Sequence, residues 1–211
     1  MAAEEVDRTI SAYQAFAAEY AELRVTVPDA IQQKIWMFAH LLGDRGRVLE
    51  IGSGSGRDAD ALERAGLSVD RTDITPAFVE LLRAKGHDAR VVDPLADELA
   101  GPNQHGGYDG VWAQACLLHV DRDDLSTILA RLAAVTRDQG VLYLSLKEGD
   151  GEEWSTHGAV DQPRRFVYWR EQPLREVLEG SGWAVIQEIG HEHNDKGDDW
   201  LEVLANRMPL R

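Results

Sequence analysis

Three glycines at alternate positions, Gly52, Gly54 and Gly56, separate a short apolar segment from a helix-forming one. Glycine lets the backbone turn sharply and lets a ligand approach the chain at van der Waals distance. The N-terminus of the helix that follows offers unpaired N–H groups to an anionic group. The turn therefore predicts a site for a nucleotide-like ligand.

Two aspartates, Asp73 and Asp93, stand at the ends of the next two strand-like segments. An acid about 20 residues after such a turn is placed to accept hydrogen bonds from ribose hydroxyls. Asp93, one strand further on, is placed to meet the exocyclic amine of adenine. The alternative is a tight turn beside two solvated, helix-capping aspartates, which requires three coincidences of position.

The identity of the nucleotide is open at this point. The run from Gly54 to Ala59 also fits the G-x-G-x-x-A pattern of a dinucleotide fold, which would make the chain an NAD(P)-dependent oxidoreductase. Two features favour S-adenosylmethionine: Glu50 lies two residues before the first glycine, and the sheet is expected to end in an antiparallel pair. A Walker-type phosphate loop is excluded because no Gly-Lys-Ser/Thr follows the turn.

The elements around the turn alternate between strands and helices. This alternation predicts an α/β fold, a doubly wound and mostly parallel sheet with helices on both faces. No helical pattern separates the last two strands, so they are expected to be antiparallel neighbours. The predicted strands are 47–51, 67–73, 89–93, 108–113, 141–147, 183–189 and 200–205, and the predicted helices between them include 58–65, 75–85, 123–135 and 173–179.

The flanking segments belong to no β-α unit. Two helical patterns, 6–23 and 28–42, precede the first strand, and an acidic and aromatic stretch follows the fifth. We expect a single domain in which these flanking segments act as a lid. Its predicted parts are a helical cap (1–45), a cofactor-binding core (46–147), a substrate loop (148–172) and a C-terminal helix with the antiparallel strand pair (173–211).

Charge and composition exclude several classes of partner. The chain has 211 residues with 22 Lys plus Arg against 37 Asp plus Glu, a formal net charge of −15, which repels nucleic acid and anionic membranes. No apolar run approaches the ~20 residues of a membrane helix. The N-terminus lacks a secretion pattern and Cys116 is the only cysteine, so we expect a cytoplasmic protein, as a monomer or a homodimer.

Two further clusters are tempting as metal sites. His191, His193 and Asp195 form an H-x-H-x-D run, but it falls in an expected hairpin turn without supporting cysteines or another ligand pair. The acidic run from Glu148 to Glu153 lacks the spacing of a calcium loop. Both are interpreted as solvated surface, and no metal is expected.

The run from Val48 to Asp58, together with Asp73, Asp93-Pro94-Leu95 and the segment 108–113, resembles the class I S-adenosylmethionine-dependent methyltransferases. The resemblance covers roughly residues 10–206. It implies a seven-stranded sheet in the order 3-2-1-4-5-7-6 with strand 7 antiparallel, and a cofactor lying across the ends of strands 1, 2 and 4. The implied cofactor-binding residues are Tyr20, Glu50, Gly52, Ser53, Gly54, Gly56, Arg57, Asp73, Ile74, Asp93, Pro94, Leu95, Ala113 and Gln114.

This resemblance implies methyl transfer to a small molecule, with S-adenosylhomocysteine as the second product. Because the methyl donor is already activated, the protein must mainly position a nucleophile and exclude water. His119 is the first candidate if a general base is used. The candidate substrate-binding residues are Tyr13, Trp154, His157, Arg165, Tyr168 and Trp169. Besides the oxidoreductase, a protein that binds the cofactor without catalysis is the remaining alternative.

Overall fold

The computed structural model of the chain describes residues 2–43, 45–101, 106–194 and 197–209. Within them, ten strands form one large sheet and one small one. They are β1 (Arg47–Ile51), β2 (Ser68–Asp73), β3 (Ala89–Val91), β4 (Tyr108–Ala113), β5 (Thr136–Lys147), β6 (Glu152–Ser155), β7 (Arg164–Val167), β8 (Trp183–Val185), β9 (Gly190–His193) and β10 (Asp199–Arg207).

The helices lie where apolar residues recur at three- and four-residue spacing. The helices are α1 (Ala2–Leu23), α2 (Asp29–Leu42), α3 (Arg57–Arg64), α4 (Pro76–Ala84), α5 (Arg122–Val135) and α6 (Glu171–Gly180), with a 3₁₀ turn at Leu117–His119. Helix α1 begins four residues earlier than predicted and is kinked at Phe16, whose backbone angles are not helical (φ −117°, ψ 16°). Among these described helices, none is both long and apolar enough to cross a membrane.

The large sheet has the predicted order. Its strands run β3-β2-β1-β4-β5-β10-β8. The first five are parallel, and β10 is antiparallel to both β5 and β8. The carboxyl ends of β1, β2, β3 and β4 therefore meet at one edge of the sheet, where ligands bind in open α/β folds.

One strand of the large sheet, β9, was not predicted. The structure has eight strands in this sheet instead of seven, because β9 pairs with β10 from Glu202 to Asp199. The expected loop from His191 to Asp199 thus contains a strand and a hairpin turn. Three of the four β9 residues are exposed, so the strand is held by its backbone pairing and carries no apolar pattern that a sequence could reveal.

Two apolar layers hold the sheet between the helices. One face packs on α5 and α6, where the Trp183 indole donates to the Leu129 carbonyl at 2.9 Å. The other face packs on α2 and α3 through residues such as Phe38 and Leu62. Two buried faces explain why the central strands have nearly continuous apolar sequences.

The segment 148–172, predicted as a loop or mobile insert, contains a second sheet. There β6 and β7 pair antiparallel, and α1 lies against β7. The Arg165 backbone N–H donates to the Thr9 side chain at 3.2 Å, and the Arg8 guanidinium lies 4.4 Å from the Trp154 ring. The cap and the insert, 156 residues apart at the Thr9–Arg165 contact, therefore contact each other directly.

Candidate active site

The glycine turn follows β1 and requires residues without a side chain. Gly52 and Gly54 have φ angles of +72° and +51°, a left-handed region that other residues rarely adopt. A Cβ atom on Gly52 would lie 2.4 Å from the Cys116 Cβ. A Cβ on Gly54 would lie 3.5 Å from the Tyr20 ring, in the space between turn and cap. The turn thus leaves its backbone open beneath the cap.

Asp73 ends β2 beside this turn. Its carboxylate accepts a hydrogen bond from the Gly54 N–H and another from the Thr75 N–H, both at 2.8 Å. Burial raises the pKa of Asp73, and these two donors oppose the shift. The Thr75 side chain is a third hydrogen-bond partner of this carboxylate, and an accepting position remains for a bound diol.

A wide cleft opens over the carboxyl ends of β1, β2 and β4. Its empty volume, including the open mouth, is about 1040 Å³. The cleft is therefore open to solvent on one side, as small-molecule sites commonly are. Predicted residues that line it are Tyr13, Tyr20, Gly52, Gly54, Asp73, Ile74, Asp93, Pro94, Leu95 and His119.

A smaller, more polar cavity adjoins the cleft at the glycine turn. Tyr20, Gly52 and Gly54 line both spaces. The predicted residues that line only the smaller cavity are Glu50, Ser53, Arg57 and Gln114. The two spaces are therefore neighbours at Tyr20 and the glycine turn.

Glu50 is the buried acid of the smaller cavity. The Ser53 hydroxyl donates to its carboxyl group at 2.5 Å. Burial nevertheless raises the pKa of Glu50 to about 8, because the low-polarity surroundings penalise the charged form more than Ser53 stabilises it. Glu50 is therefore largely protonated at neutral pH. A cation bound nearby would lower its pKa and favour the carboxylate.

Helix α1 closes the cleft from above. The Tyr20 ring packs on Phe78 of α4 with 5.3 Å between ring centroids, and Tyr13 lies 5.9 Å from Tyr20. The Gln14 side-chain oxygen accepts a hydrogen bond from the Ala77 N–H at 3.0 Å. The predicted helical cap is thus seated on the carboxyl edge of the sheet, with its tyrosines facing the site.

His119 lies on the 3₁₀ turn after β4, at the wall of the cleft. Its Nε2 lies 2.9 Å from the Tyr13 hydroxyl, and its Nδ1 lies 2.5 Å from the Arg165 carbonyl oxygen. Burial lowers the pKa of His119 to about 4, so the ring is neutral at physiological pH. His119 lines the wide cleft, and its role as a general base stays a prediction.

The other predicted residues lie outside both spaces. Gly56 caps α3 and donates its N–H to the Ser53 carbonyl at 2.8 Å, so it shapes the turn. Ala113 is fully buried within β4. The insert residues predicted for substrate binding, which line neither cavity, are Trp154, His157, Arg165, Tyr168 and Trp169.

Two of these insert side chains contact the start of α5, outside the lining of the cleft. Arg165 forms an ion pair with Asp121 at 2.5 Å, and the Trp169 ring, 2% exposed, lies 4.6 Å from the Arg122 guanidinium. Both contacts anchor the start of α5, which lines the cleft. The role of these residues in substrate binding stays a prediction.

Sequence reasoning missed part of the cleft wall. Cys116 and Leu117 line it one turn beyond the predicted Ala113, and Phe78 lines it from the first turn of α4. Asp121 and Asp124 line it from the N-terminus of α5. Cys116 and Leu117 could have been predicted, because they follow a predicted strand at the edge where the site lies. Whether residues of α4 and α5 line the cleft depends on how those helices pack on the sheet.

The acidic clusters are ion-pair networks. The carboxylates of Asp60 and Glu63 come close to His87, but the Arg71 guanidinium donates to Glu63 at 2.7 Å and to Asp60 at 2.9 Å. A cation at this cluster would have to displace that guanidinium.

The H-x-H-x-D run is also engaged with neighbouring side chains. His191 lies between Glu148 at 2.8 Å and Glu171 at 3.3 Å. His193 lies 2.7 Å from Asp199. Asp195 falls outside the described residues, and the two histidines lie on the surface strand β9 instead of in the expected hairpin turn.

Comparison with known proteins agrees with this geometry. Residues 49–144, which span the glycine turn, Asp73, Asp93 and His119, match the methyltransferase domain family. Over this stretch the chain has a methyltransferase domain, of the class I S-adenosylmethionine-dependent kind. The glycine turn and strand order agree with this match, and S-adenosylmethionine is the cofactor that the family takes.

Among curated relatives, a ubiquinone biosynthesis O-methyltransferase from Xanthomonas oryzae pv. oryzae is 31% identical over 107 residues, covering 47% of this methyltransferase and 42% of the relative. The chain thus matches less than half the length of that relative. The match indicates that the two proteins share descent over the aligned residues. The acceptor in the relative's name is that of the relative.

Two solved structures share the fold over nearly the whole chain. A 1,6-didemethyltoxoflavin-N1-methyltransferase from Burkholderia thailandensis, with bound substrate and S-adenosylhomocysteine, is 24% identical with a TM-score of 0.68, covering 94% of this methyltransferase and 88% of that chain. An N-methyltransferase from Bradyrhizobium japonicum with S-adenosylhomocysteine is 14% identical with a TM-score of 0.71, covering 95% and 99%. These likenesses concern the fold.

Proposed function

We propose that this methyltransferase transfers a methyl group from S-adenosylmethionine to a small-molecule acceptor held in the wide cleft. The observation that carries the proposal is the placement of the Asp73 carboxylate 2.8 Å from the Gly54 N–H, in a cleft beneath α1. A ribose acid beside an open glycine turn suits a nucleoside. S-adenosylmethionine supplies a methyl carbon activated by its positively charged sulfur.

The nucleoside end would lie in the wide cleft. Asp73 has lone pairs for the ribose hydroxyls. Asp93 lies at the next strand end, where its carboxylate accepts the Leu95 N–H at 2.8 Å and so holds the Pro94-Leu95 turn against the cleft. Ile74 and Phe78 supply apolar walls suited to a flat purine.

The amino-acid end would lie in the smaller cavity. Arg57 offers a guanidinium for a carboxylate, and buried Glu50 offers a carboxyl group to an ammonium. The Gln114 side-chain oxygen accepts the Ser145 hydroxyl at 2.9 Å, which leaves its amide N–H groups for a ligand. The smaller cavity is lined by one cationic residue, Arg57, and by two acidic residues, Glu50 and Asp58, so it offers partners to both charged groups of a zwitterionic amino acid.

The charges of the wide cleft favour a neutral or cationic acceptor. Asp73, Asp93, Asp121 and Asp124 line it, and its described lining contains no lysine or arginine. These carboxylates stabilise a sulfonium cation and repel phosphates and carboxylates. Together with the net charge of −15, they support a small-molecule acceptor over nucleic acid.

A location in the cytoplasm is part of the proposal. It is supported by the single cysteine of the chain, Cys116, whose burial beside the glycine turn raises the pKa of the thiol. A single, protonated thiol suits a reducing compartment, where no disulfide is required.

Two measurements test this function. Titration calorimetry should show binding of S-adenosylhomocysteine and none of NAD, because the smaller cavity is suited to an amino acid and not to a second nucleotide. Formation of S-adenosylhomocysteine should then be followed with small amines, phenols, thiols and carboxylic acids. Binding of NAD in preference would overturn the cofactor assignment, and binding without any turnover would leave a cofactor-binding protein without catalysis.

A further inference from the structure

The hydrogen-bond polarity around His119 follows from its partners. A carbonyl oxygen only accepts, so the 2.5 Å contact with the Arg165 carbonyl places the proton of the neutral ring on Nδ1. Nε2 then carries a lone pair, and the Tyr13 hydroxyl, at 2.9 Å, must donate its proton to it. The imidazole is held in one tautomer and one orientation.

The Tyr13 oxygen has its own second partner. The Arg164 guanidinium, 3% exposed, donates to it at 3.3 Å. The phenol therefore gives its only proton to His119, accepts one hydrogen bond from Arg164 and keeps one lone pair. Because Tyr13 lines the wide cleft, this lone pair is available to an N–H or O–H donor bound there.

We propose that Tyr13 and His119 form a proton relay in which Tyr13 is the catalytic residue that receives the proton of the methyl acceptor. This inference rests on the proposed function. It also names the acceptor class: a small molecule whose nucleophilic nitrogen or oxygen carries a hydrogen, such as an amine or a phenol, because Tyr13 presents only an accepting lone pair to the cleft.

The reaction balances with groups of the chain alone. As the nucleophile forms its bond to the methyl carbon and the carbon–sulfur bond breaks, the N–H or O–H proton passes to the Tyr13 oxygen. The Tyr13 proton passes to Nε2 of His119, which becomes an imidazolium that still donates from Nδ1 to the Arg165 carbonyl. When product leaves, Tyr13 releases a proton to water and recovers its own from His119.

Electrostatics decide when the relay can work. The groups facing the pair are Arg164 from β7, Lys147 from β5, Tyr20 from α1 and Asp73 from β2. Burial and the two cations disfavour an imidazolium while the sulfonium is present. Methyl transfer removes that sulfonium charge, so the charge of the site stays the same when His119 takes the proton.

Arg164 is a positioning residue in this scheme. Besides its contact with Tyr13, it donates to the His157 carbonyl at 2.5 Å and lies 5.3 Å from the Phe166 ring. These contacts hold the guanidinium beside Tyr13, where it occupies one lone pair of the Tyr13 oxygen. His119 and Arg164 thus fill two of the three hydrogen-bonding positions of that hydroxyl.

A different role for the same contact is mechanical, with the Tyr13 hydroxyl merely fastening α1 over the cleft. The two roles differ in what they predict for proton movement. If the contact only held α1 in place, its loss would change ligand affinity, and no proton would move between Tyr13 and His119 during the chemical step. In the relay two protons move during the chemical step, one from the acceptor to Tyr13 and one from Tyr13 to His119. The rate of methyl transfer should therefore show a solvent deuterium isotope effect.

The first experiment needs no acceptor. Nitrogen NMR of ¹⁵N-histidine-labelled protein bound to S-adenosylhomocysteine at neutral pH should show His119 as the Nδ1–H tautomer. Tyr13→Phe should shift the Nε2 resonance and leave Nδ1 protonated. The Nε2–H tautomer would overturn the relay, because His119 would then donate to Tyr13.

The second experiment measures single-turnover methyl transfer with the amine or phenol that forms S-adenosylhomocysteine fastest. Tyr13→Phe should lower the rate by about 10²–10⁴-fold, the usual range for general base catalysis, and abolish the solvent isotope effect, while S-adenosylhomocysteine still binds. Tyr108→Phe is the matched control, since the Tyr108 hydroxyl bonds Asp70 at the opposite end of β2. Its rate should stay within about twofold of the wild type, well below the change that general base catalysis gives.

The outcomes separate the two hypotheses. Failure to bind S-adenosylhomocysteine, or turnover of no acceptor, contradicts the proposed function and removes the basis of the relay. Normal binding with an unchanged Tyr13→Phe rate, or with an unchanged isotope effect, overturns the relay alone. Turnover restricted to acceptors without an N–H or O–H group also overturns it.

Discussion

The Asp73 carboxylate accepts the Gly54 backbone N–H at 2.8 Å, and this bond joins the end of β2 to the glycine turn that follows β1. Asp73 thereby stabilises the turn and lines the cleft with the same carboxylate. A substitution at either residue should therefore change ligand binding in a way that a substitution elsewhere on the same strand does not.

Asp73→Asn should weaken the binding of S-adenosylhomocysteine by about 1.5–3 kcal/mol, the cost of losing a hydrogen bond to a charged group. Titration calorimetry measures the change. Asp70→Asn is the control, because Asp70 lies on the same strand and bonds Arg90 at 3.0 Å, away from the cleft. Equal losses of affinity in the two variants would show that Asp73 does not contact the ligand.

Gly54→Ala places a methyl group in the space below Tyr20, at a φ angle of +51°. The left-handed conformation should cost about 1–2 kcal/mol of unfolding free energy, and S-adenosylhomocysteine binding should be lost or weakened at least about tenfold, or 1.4 kcal/mol. Gly66→Ala matches the backbone cost, with φ +96° and nothing within 4 Å. Urea unfolding with calorimetry distinguishes them: if Gly66→Ala weakens binding equally, contact at the turn is not the cause.

Glu50 makes ligand binding depend on pH. Burial raises its pKa to about 8 in the free protein, and the ammonium of S-adenosylhomocysteine should favour the carboxylate and lower that pKa. Binding between the two pKa values then releases a proton, so affinity should rise with pH up to about 8. Calorimetry in two buffers of different ionisation enthalpy measures the release.

The same experiment on Glu50→Gln provides the control. Glutamine cannot ionise, so proton release and the pH dependence should both disappear while Ser53 keeps a side-chain oxygen to bond. A pH dependence that persists in Glu50→Gln would assign it to another group, such as Asp73, whose pKa burial also raises.

The cap and the insert should respond to ligand together, because the Thr9 side chain accepts the Arg165 N–H at 3.2 Å. In hydrogen exchange, S-adenosylhomocysteine should slow residues 8–23 and 164–167 and leave the 141–147 strand unchanged. Thr9→Val keeps the side-chain shape, removes the acceptor and should speed exchange at Arg165. Slowing of one segment without the other in the wild-type protein would contradict a coupled lid.

Local sequence was sufficient to predict the core. The glycine turn, Asp73 and Asp93 were found because left-handed backbone and strand ends are encoded within a few neighbouring residues. The strand order followed from family resemblance and agrees with the structure. Strand β9 escaped because its exposed residues carry no apolar alternation. The β6–β7 sheet escaped because each of its strands begins with two charged residues, Glu152 and Glu153 in β6 and Arg164 and Arg165 in β7.

The sequence by itself determined the fold class and the edge of the sheet at which the glycine turn lies, since alternating elements and a glycine turn leave few ways to build that edge. Tertiary structure decided which side chains line the cleft. Tyr13 and His119 are 106 residues apart, and their hydrogen bond exists only because α1 folds back over the cleft and the Arg165 carbonyl selects one tautomer. Such contacts depend on packing between distant elements, and nothing in the neighbouring sequence of either residue encodes them.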